Sequence, residues 1–301
     1  MMNLTAYSEF NFSFEPITEG VWAVKNKDDN RPVLAAYGDE PMPYLIDEAN
    51  LNKNIAINEN DALIIEEFNS FKKNRPEYIV GAKLEVPENV SLQWLHDTYC
   101  NLLIGCAMIR AAKNGYNPDE QLPRIMRIIK MLEETDFFTS PASSVFHGSF
   151  SGGLVAHSIE VVQCIKSLKS SIPAWREEVS MDSAVLVALV HDWCKIGTYE
   201  SYQRNVKDPQ TGTWVSKLAY RKIPSIMPLG HGVESLFLAS KYFKLSDAEA
   251  LAIRWHMGPW RCVESEHNDL QESNENYPIV HLLQFADQLS ITKYVGKVYE
   301  Q

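Results

Sequence analysis

The chain has 301 residues, of which 45% are apolar and 22% charged, and its formal net charge at pH 7 is −11. These values are typical of a soluble globular protein with one large domain or two modest ones. No apolar run approaches the roughly 18 residues that span a bilayer, and the opening MMNLTAYSEFNF lacks the basic and apolar regions of a secretory signal. We therefore expect a cytoplasmic protein with no membrane partner.

The negative charge is spread unevenly along the chain. Residues 1–90 carry 8 basic and 16 acidic side chains, whereas residues 91–301 carry 20 and 23. Because DNA and RNA binding depends on neutralising phosphates, this balance opposes tight binding to duplex nucleic acid. A small anionic substrate that meets a local basic group is compatible with it.

The first ninety residues predict a small α+β module whose role the sequence does not indicate. Alternation at residues 10–14, and the segments VWAVK, RPVLAAY and EYIVGAKLEV, predict strands. Residues 61–73, DALIIEEFNSFKK, have helical periodicity. No residue of this module carries a catalytic motif.

From residue 91 the sequence is typical of a mainly α domain that extends to residue 301. Apolar periodicity and stop signals predict helices over 91–115 and 118–134, from Gly153 onward, over 246–256 with a Ser246–Glu249 capping box, and over 278–290. Residues 199–228 predict a β-hairpin inserted between helices, with the turn DPQTGT. Residues 257–277 are polar and acidic and predict a surface loop.

A series of ionisable residues lies in strongly apolar surroundings. His191 and Asp192 follow the apolar run 184–190, where an ionised carboxylate is costly unless a cation binds it. Similar contexts recur in the order H…HD…H…H…D, at His157, His231, His256 and Asp287. One histidine of this kind is usually a core residue, but a core rarely gathers so many without pairing them. Mixed imidazole and carboxylate ligands favour a first-row transition ion or Mg²⁺.

The motifs resemble the HD-domain superfamily of metal-dependent phosphohydrolases. GGLVAHS, HDWCKIG and ADQLS carry the resemblance over roughly residues 120–301, and PASSVFHGSFSGGLVAH is similar to HD-type 3′–5′ exoribonucleases and to HD proteins of mobile elements. The resemblance implies a helical HD-type domain with one or two divalent ions (Mn, Fe, Mg, Ni, Co or Zn). It implies that His157, His191, Asp192 and Asp287 bind one ion, and that His231 and His256 occupy second-ion positions.

Further candidates surround this series. Lys195 follows Asp192 by three residues and is predicted to bind substrate and to balance charge on phosphate; the alternative is an ordinary helix-end lysine. His147, in a Gly- and Ser-rich segment, is predicted to bind substrate, although a surface histidine is an equal alternative. Arg204 and Arg221 belong to the basic cluster of the hairpin and are predicted to contact an anionic substrate; the alternative is a solvated face.

The five cysteines form no CxxC pair, and their odd number is not typical of a disulfide framework. We expect reduced thiols. Cys194, within HDWCK, is interpreted as a small residue at a buried helix end and not as a nucleophile or ligand.

Together these features predict a hydrolase that cleaves a phosphate ester, most simply of a nucleotide, with metal-activated water. One alternative is a 3′–5′ exonuclease on single strands, which requires a basic, aromatic groove. Another is a regulatory protein that binds metal or nucleotide without turnover. The charge balance favours a small phosphorylated partner over a polynucleotide.

Overall fold

The computed structural model describes residues 12–18, 21–26, 32–37, 76–84, 86–87, 89–224 and 228–292. The chain divides into two compact units, Met1–Arg75 and Pro76–Gln301.

In the first unit, three strands form one antiparallel sheet in the order β1-β2-β3. They are β1 (Phe12–Thr18), β2 (Val21–Asn26) and β3 (Pro32–Tyr37). The register pairs Phe14 with Val24 and Val24 with Leu34. These strands agree with the first three predicted ones; the helix predicted over 61–73 lies outside the described residues.

The second unit is built from helices joined mostly by short connections. They are α1 (Pro76–Gly81), α2 (Leu92–Lys113), α3 (Pro118–Glu133), α4 (Gly153–Ser171), α5 (Pro173–Glu178), α6 (Met181–Val190), α7 (His231–Ser240), α8 (Asp247–Trp255), α9 (His267–Asn276) and α10 (Pro278–Ser290). The mainly α class predicted from the sequence is confirmed.

The core is centred on α6. Its residues from Ala184 to Val190 are all buried, and it packs against α2, α4, α8 and α10. A helix that is apolar on every side has no solvated face, which explains its central position. The residues that follow α6 in the chain therefore emerge among the ends of several packed helices.

The predicted strand EYIVGAKLEV is wrong, because Pro76–Gly81 is a helix. Proline at the first helical position has the φ angle that a helix requires. Val80 joins the hydrophobic core, and α1 packs closely on α2 at Gly105, where an added Cβ would collide with the Pro76 carbonyl oxygen. This contact joins α1 to the second compact unit. The domain boundary at residue 90 stays a prediction.

Two segments interrupt the helices. The hairpin consists of β4 (Tyr199–Lys207) and β5 (Trp214–Lys222), which pair antiparallel. The surface loop predicted over 257–277 is wrong for its second half, which forms α9. Only Leu270 and Ser273 of α9 are buried, so its sequence shows almost no apolar period. None of the described helices is both long and apolar enough to cross a membrane.

Candidate metal centre

The centre is built around the turn that follows α6. His191 is the C-cap of α6, and Trp193–Lys195 form one 3₁₀ turn directly after Asp192. The buried Trp193 indole donates to the Tyr99 hydroxyl at 3.0 Å, and that hydroxyl donates to the Leu189 carbonyl at 2.8 Å. Because these partners are buried, the network fixes the turn that contains Asp192 against α2.

One oxygen of Asp192 lies beside what we call the inner group, which comprises His157, His191 and Asp287. Asp192 Oδ2 lies 3.3 Å from His157 Nε2 and 3.4 Å from His191 Nε2. The Asp287 Oδ1 atom is 3.1 Å from His157 Nε2 and 3.9 Å from His191 Nε2. Thus α4, the end of α6, and α10 each bring an imidazole or carboxylate side chain to the same point.

The other oxygen of Asp192 lies beside what we call the outer group, which comprises His231 and His256. Asp192 Oδ1 is 2.8 Å from His231 Nε2 and 3.7 Å from His256 Nε2. His231 is the first residue of α7, and His256 is the C-cap of α8. The structure therefore brings all six residues of the H…HD…H…H…D series together, with Asp192 between the two groups.

The histidines are oriented by contacts to their second ring nitrogen. The Nδ1 atoms of His191 and His256 each lie 2.8 Å from a backbone carbonyl, of Ala188 and Ile253 respectively. A carbonyl can only accept, so Nδ1 carries the hydrogen and Nε2 carries a lone pair when the ring is neutral. Such contacts are typical of metal-ligating histidines, whose orientation and tautomer they fix.

His157 is oriented in the same way by a side chain. The Ser290 hydroxyl donates to the Asp287 carbonyl at 2.7 Å, and its oxygen lies 3.3 Å from His157 Nδ1, from which it accepts. Ser290 follows Asp287 by one helical turn, so α10 supplies both a carboxylate and the group that orients His157. The prediction from sequence did not include Ser290; its position in ADQLS is the signal that could have found it.

The charged side chains of the inner group, Asp192 and Lys195 stabilise one another. Burial opposes the charged forms, yet Lys195 and His191 hold the pKa of Asp192 well below its usual range. Burial lowers the pKa of His157, but Asp192 and Asp287 outweigh this effect and raise it to about 9. The pKa of Asp287 is lowered mainly by His157, although burial acts in the opposite direction. The protonated His157 ring thus lies between the carboxylates of Asp192 and Asp287. A divalent cation could replace the second proton of this ring, because it would lie beside the same two carboxylates.

In the outer group, the Nε2 atom of His256 is suited to bind a cation. Burial and the nearby His191 lower the pKa of His256 to about 3, so its ring is neutral at pH 7. Its Nε2 atom is buried, has no hydrogen-bond partner among the described residues, and faces the anionic Asp192. A buried lone pair directed at a carboxylate oxygen is costly unless a positive ion lies between them.

The ligand atoms are close enough to share ions. Two sets of three have all their ligand atoms within 4.8 Å of one another: His157, His191 and Asp287, and Asp192, Cys194 and His231. Metal–ligand bonds of about 2.0–2.3 Å require separations of this order. The residues present therefore fit divalent metal at both positions.

Lys195 lies inside the centre. It is buried, and its Nζ atom is 2.6 Å from Asp192 Oδ2. Burial lowers the pKa of Lys195, but Asp192 outweighs it and raises the pKa above its usual value. The ammonium is thus charged and in contact with the Asp192 oxygen that faces the inner group, which does not correspond to an exposed helix-end lysine.

His147 lies at the edge of the inner group. Its ring centroid is 5.2 Å from that of His157. Burial, with smaller contributions from His157 and Lys195, lowers the pKa of His147 to about 4. The segment that carries it is held by the Ser143 hydroxyl, which donates to the His147 carbonyl at 2.8 Å, and by an Ala142 N–H that donates to the Gly148 carbonyl at 2.8 Å. His147 is therefore a neutral side chain in a fixed segment next to the carboxylates.

Arg204 and Arg221, the two hairpin arginines predicted to contact the substrate, do not contact the centre as Lys195 does. The register pairs Tyr199 with Lys222, Glu200 with Arg221, and Arg204 with Lys217. Side chains alternate along a strand, so Arg204 and Arg221 lie on the face opposite Tyr199. The Tyr199 side chain, on the other face, interacts electrostatically with Lys195 and Asp192. Arg221 is exposed and its Nε lies 2.5 Å from Glu200. No contact in the described residues joins either arginine to the centre.

The class of this protein follows from its fold and its site. It is a helical protein in which several helices converge on a buried cluster of histidines and carboxylates, a candidate divalent-metal centre. Residues 154–291, which include all six residues of the series, match the family model described as HD domain. This match to an HD domain confirms the resemblance to the HD-domain superfamily of metal-dependent phosphohydrolases that the motifs indicated. No curated protein and no solved structure gives a significant match to the chain.

Proposed function

We propose that this protein is a metal-dependent phosphohydrolase that cleaves a phosphate ester of a nucleotide. The observation that carries the proposal is the position of Asp192, whose two oxygens face two different groups of histidines. A carboxylate in this position could bridge two ions, the arrangement that clamps both the attacking and the leaving oxygen of a phosphate ester.

In this proposal the inner group and Asp192 hold one ion, and the outer group with the other oxygen of Asp192 holds the second. Bound divalent metal supplies a Lewis acid and makes water a nucleophile near neutral pH. The protein supplies fixed ligands, a largely buried site, and the orientation of each imidazole through its Nδ1 contact. These residues offer nitrogen and oxygen ligands, which several divalent ions accept. The candidates are Mn, Fe, Mg, Ni, Co and Zn.

Lys195 is proposed to bind the substrate phosphate. An ammonium has three donors, and one of them points at Asp192. The others are available to phosphate oxygens on which negative charge develops during hydrolysis. His147 is proposed to contact the substrate from the edge of the inner group, as a neutral donor or acceptor.

A small substrate is favoured over a polynucleotide. The chain is net negative, and the hairpin arginines have no contact to the centre among the described residues. Each phosphate that a protein neutralises steepens the dependence of log affinity on log salt, by about 0.7 for single strands. We expect turnover of small nucleotides with a weak salt dependence, the hairpin contributing one or two contacts at most.

The test is hydrolysis of a panel of mononucleotides and generic phosphodiesters, and of single-stranded RNA and DNA oligomers, at low and moderate salt. Metal-free protein is first loaded with each candidate ion. His267→Ala serves as a control, because this histidine is exposed at the start of α9 and outside the centre. The corresponding His256→Ala variant should lose activity, whereas the control should keep it.

Other outcomes distinguish the alternatives. Degradation of oligomers with a steep salt slope and no mononucleotide activity would replace the proposal by a 3′–5′ exonuclease. Stoichiometric metal or nucleotide binding without turnover of any substrate in the panel would favour a regulatory protein. Absence of bound metal under all conditions would overturn the metal centre itself.

A further inference from the structure

Among the four histidines around Asp192, His231 has a different partner for its second nitrogen. The other three have an oxygen at Nδ1, from Ala188, Ile253 and Ser290. The Nδ1 atom of His231 lies 3.3 Å from the sulfur of Cys194. Since His231 Nε2 faces Asp192 Oδ1 at 2.8 Å, its Nδ1 is the nitrogen left to carry the hydrogen when Nε2 binds a cation.

Cys194 is held in place by the same helix that carries His231. Its backbone N–H donates to the Ser235 hydroxyl at 3.1 Å, and Ser235 is buried on α7, one turn after His231. Cys194 itself is buried in the turn that contains Asp192. The turn and α7 are therefore joined at two neighbouring points, one of which is the imidazole.

A second observation marks the position that this contact serves. His256 Nε2 is buried, lacks a hydrogen-bond partner among the described residues, and faces the same oxygen of Asp192 as His231 does. These contacts converge on one cation position at Asp192 Oδ1.

We propose that Cys194 is a positioning residue for the outer ion: its sulfur accepts the Nδ1 hydrogen of His231 and so directs Nε2 toward Asp192. This inference rests on the proposed two-ion centre. A sulfur is a weaker acceptor than the oxygens that orient the other three histidines, so His231 is the least firmly fixed ligand. The outer ion is accordingly the one that exchanges more readily.

The test compares Cys194→Ala, which removes the acceptor, with Cys194→Ser, which restores one. Metal content and the two dissociation constants are measured by titrating metal-free protein with Zn²⁺ against a chromophoric chelator. Loss of such an outer-shell partner typically weakens metal binding 10- to 100-fold. We expect a weakening of about this size for one ion in Cys194→Ala, unchanged binding of the other, and recovery in Cys194→Ser. Cys106→Ser, at another fully buried cysteine in α2, is the control and should bind both ions normally.

A second measurement does not require activity. In the Zn²⁺-loaded protein, ¹H–¹⁵N NMR of the histidine side chains reports the hydrogen on Nδ1 of His231. This hydrogen should exchange slowly with solvent in the wild type and in Cys194→Ser, and rapidly in Cys194→Ala. This readout separates orientation of the ring from a general loss of stability, which the melting temperature of each variant measures.

The outcomes that overturn the inference are distinct from those that overturn the proposed function. If each ion binds to Cys194→Ala as tightly as to the wild type, or if the Nδ1 hydrogen of His231 exchanges at the same rate in both, Cys194 has no positioning role. A thiolate-to-metal charge-transfer band in the Co²⁺-loaded protein that disappears in Cys194→Ser would make Cys194 a direct ligand and also overturn it. A wild-type protein that binds only the inner ion would leave no outer position for Cys194 to serve, whereas one that binds no ion would refute the metal centre as a whole.

Discussion

The two sides of Asp192 present the same residue types in different surroundings. In the inner group, His157 and His191 are almost completely buried and two carboxylates surround them, so that a proton can balance the charge. In the outer group, the His231 side chain is 24% exposed. His256 is neutral because its pKa is low, so it carries no proton that could balance the charge of Asp192. The inner group is therefore closed to solvent and carries its own balancing charge, whereas the outer group lies nearer to solvent and does not.

The largest effect is expected at the residue that both groups share. Asp192→Ala should abolish binding of both ions and all hydrolysis, because it removes the oxygens of both positions. Asp182→Ala is a matched control, since Asp182 is another buried aspartate and its ion pair, with Lys113, lies outside the centre. Elemental analysis and hydrolysis rates check the result. Full metal occupancy in Asp192→Ala would refute the assignment.

The next variants separate the two groups. His157→Ala should lose the inner ion and reduce hydrolysis to background. His231→Ala should retain the inner ion and lower kcat on the order of 10²- to 10³-fold, because several kcal/mol of charge stabilisation by the second ion are lost. Metal stoichiometry and steady-state kinetics measure both variants. Equal loss of both ions in each variant would show that the two positions are not distinct.

Lys195 tests whether the contact to Asp192 Oδ2 serves structure or chemistry. Lys195→Met should reduce kcat by about 10²- to 10³-fold, as removal of one donor to developing charge does in other enzymes. Both ions should remain bound. Lys222→Met, at an exposed lysine of the hairpin, should have little effect. Normal kcat together with reduced metal content in Lys195→Met would assign the lysine to the structure of the centre.

The pKa of His157 predicts how stability depends on pH when metal is removed by a chelator. The folded-state pKa of about 9 exceeds the ordinary value of 6.5, so the folded protein binds this proton more tightly. The stabilisation is complete below pH 6.5 and is lost as the pH rises through about 9. The free energy of unfolding, from urea denaturation, should fall over this window. His147 and His256 have lowered pKa values and act below it.

His157→Gln is the variant that checks this assignment, because glutamine does not titrate. Its unfolding free energy should lose the decline between pH 6.5 and 9. Metal-loaded wild type should also lose it, since the ion displaces the proton. An unchanged slope in His157→Gln would assign the decline to another group.

The smallest effect is expected beyond both groups, on the hairpin. Arg221→Ala and Arg204→Ala should change kcat/KM by no more than a few fold, because Arg221 forms an exposed pair with Glu200 and such pairs contribute little. Kinetics on a mononucleotide at two salt concentrations measures this. A loss of 100-fold or more in either variant would place the hairpin over the substrate.

Local signals in the sequence predicted α2, α3, α4, α8 and α10. The convergence of six side chains was implied by the resemblance to the HD-domain superfamily. The Ser246–Glu249 capping box is present at α8, and His157 lies on the buried face that its spacing indicated. Their role as metal ligands stays a prediction. The sequence failed where tertiary contacts decide: α1 was predicted as a strand, because its contact with Gly105 of α2 is distant in sequence.

Within the centre, the partners of the ligands were harder to predict than the ligands. Nothing in HDWCK shows that the Cys194 sulfur meets His231, which lies 37 residues later. Likewise, the backbone carbonyls that orient His191 and His256 carry no sequence signal, since every residue has one. A ligand is recognised by its chemistry and its apolar context, but a hydrogen-bond partner is recognised only when the fold is known.

The contact between α4 and the segment around α1 determines where this protein can be shortened for expression. The Lys166 ammonium, on the helix that carries His157, donates to the carbonyls of Ile79 and Ala82, and burial lowers its pKa to about 8. A chain that starts at residue 91 would leave this half-buried cation without either acceptor and would uncover the surface of α2 at Gly105. A chain that starts at Pro76 keeps both contacts and is the shorter form to prepare for crystallisation.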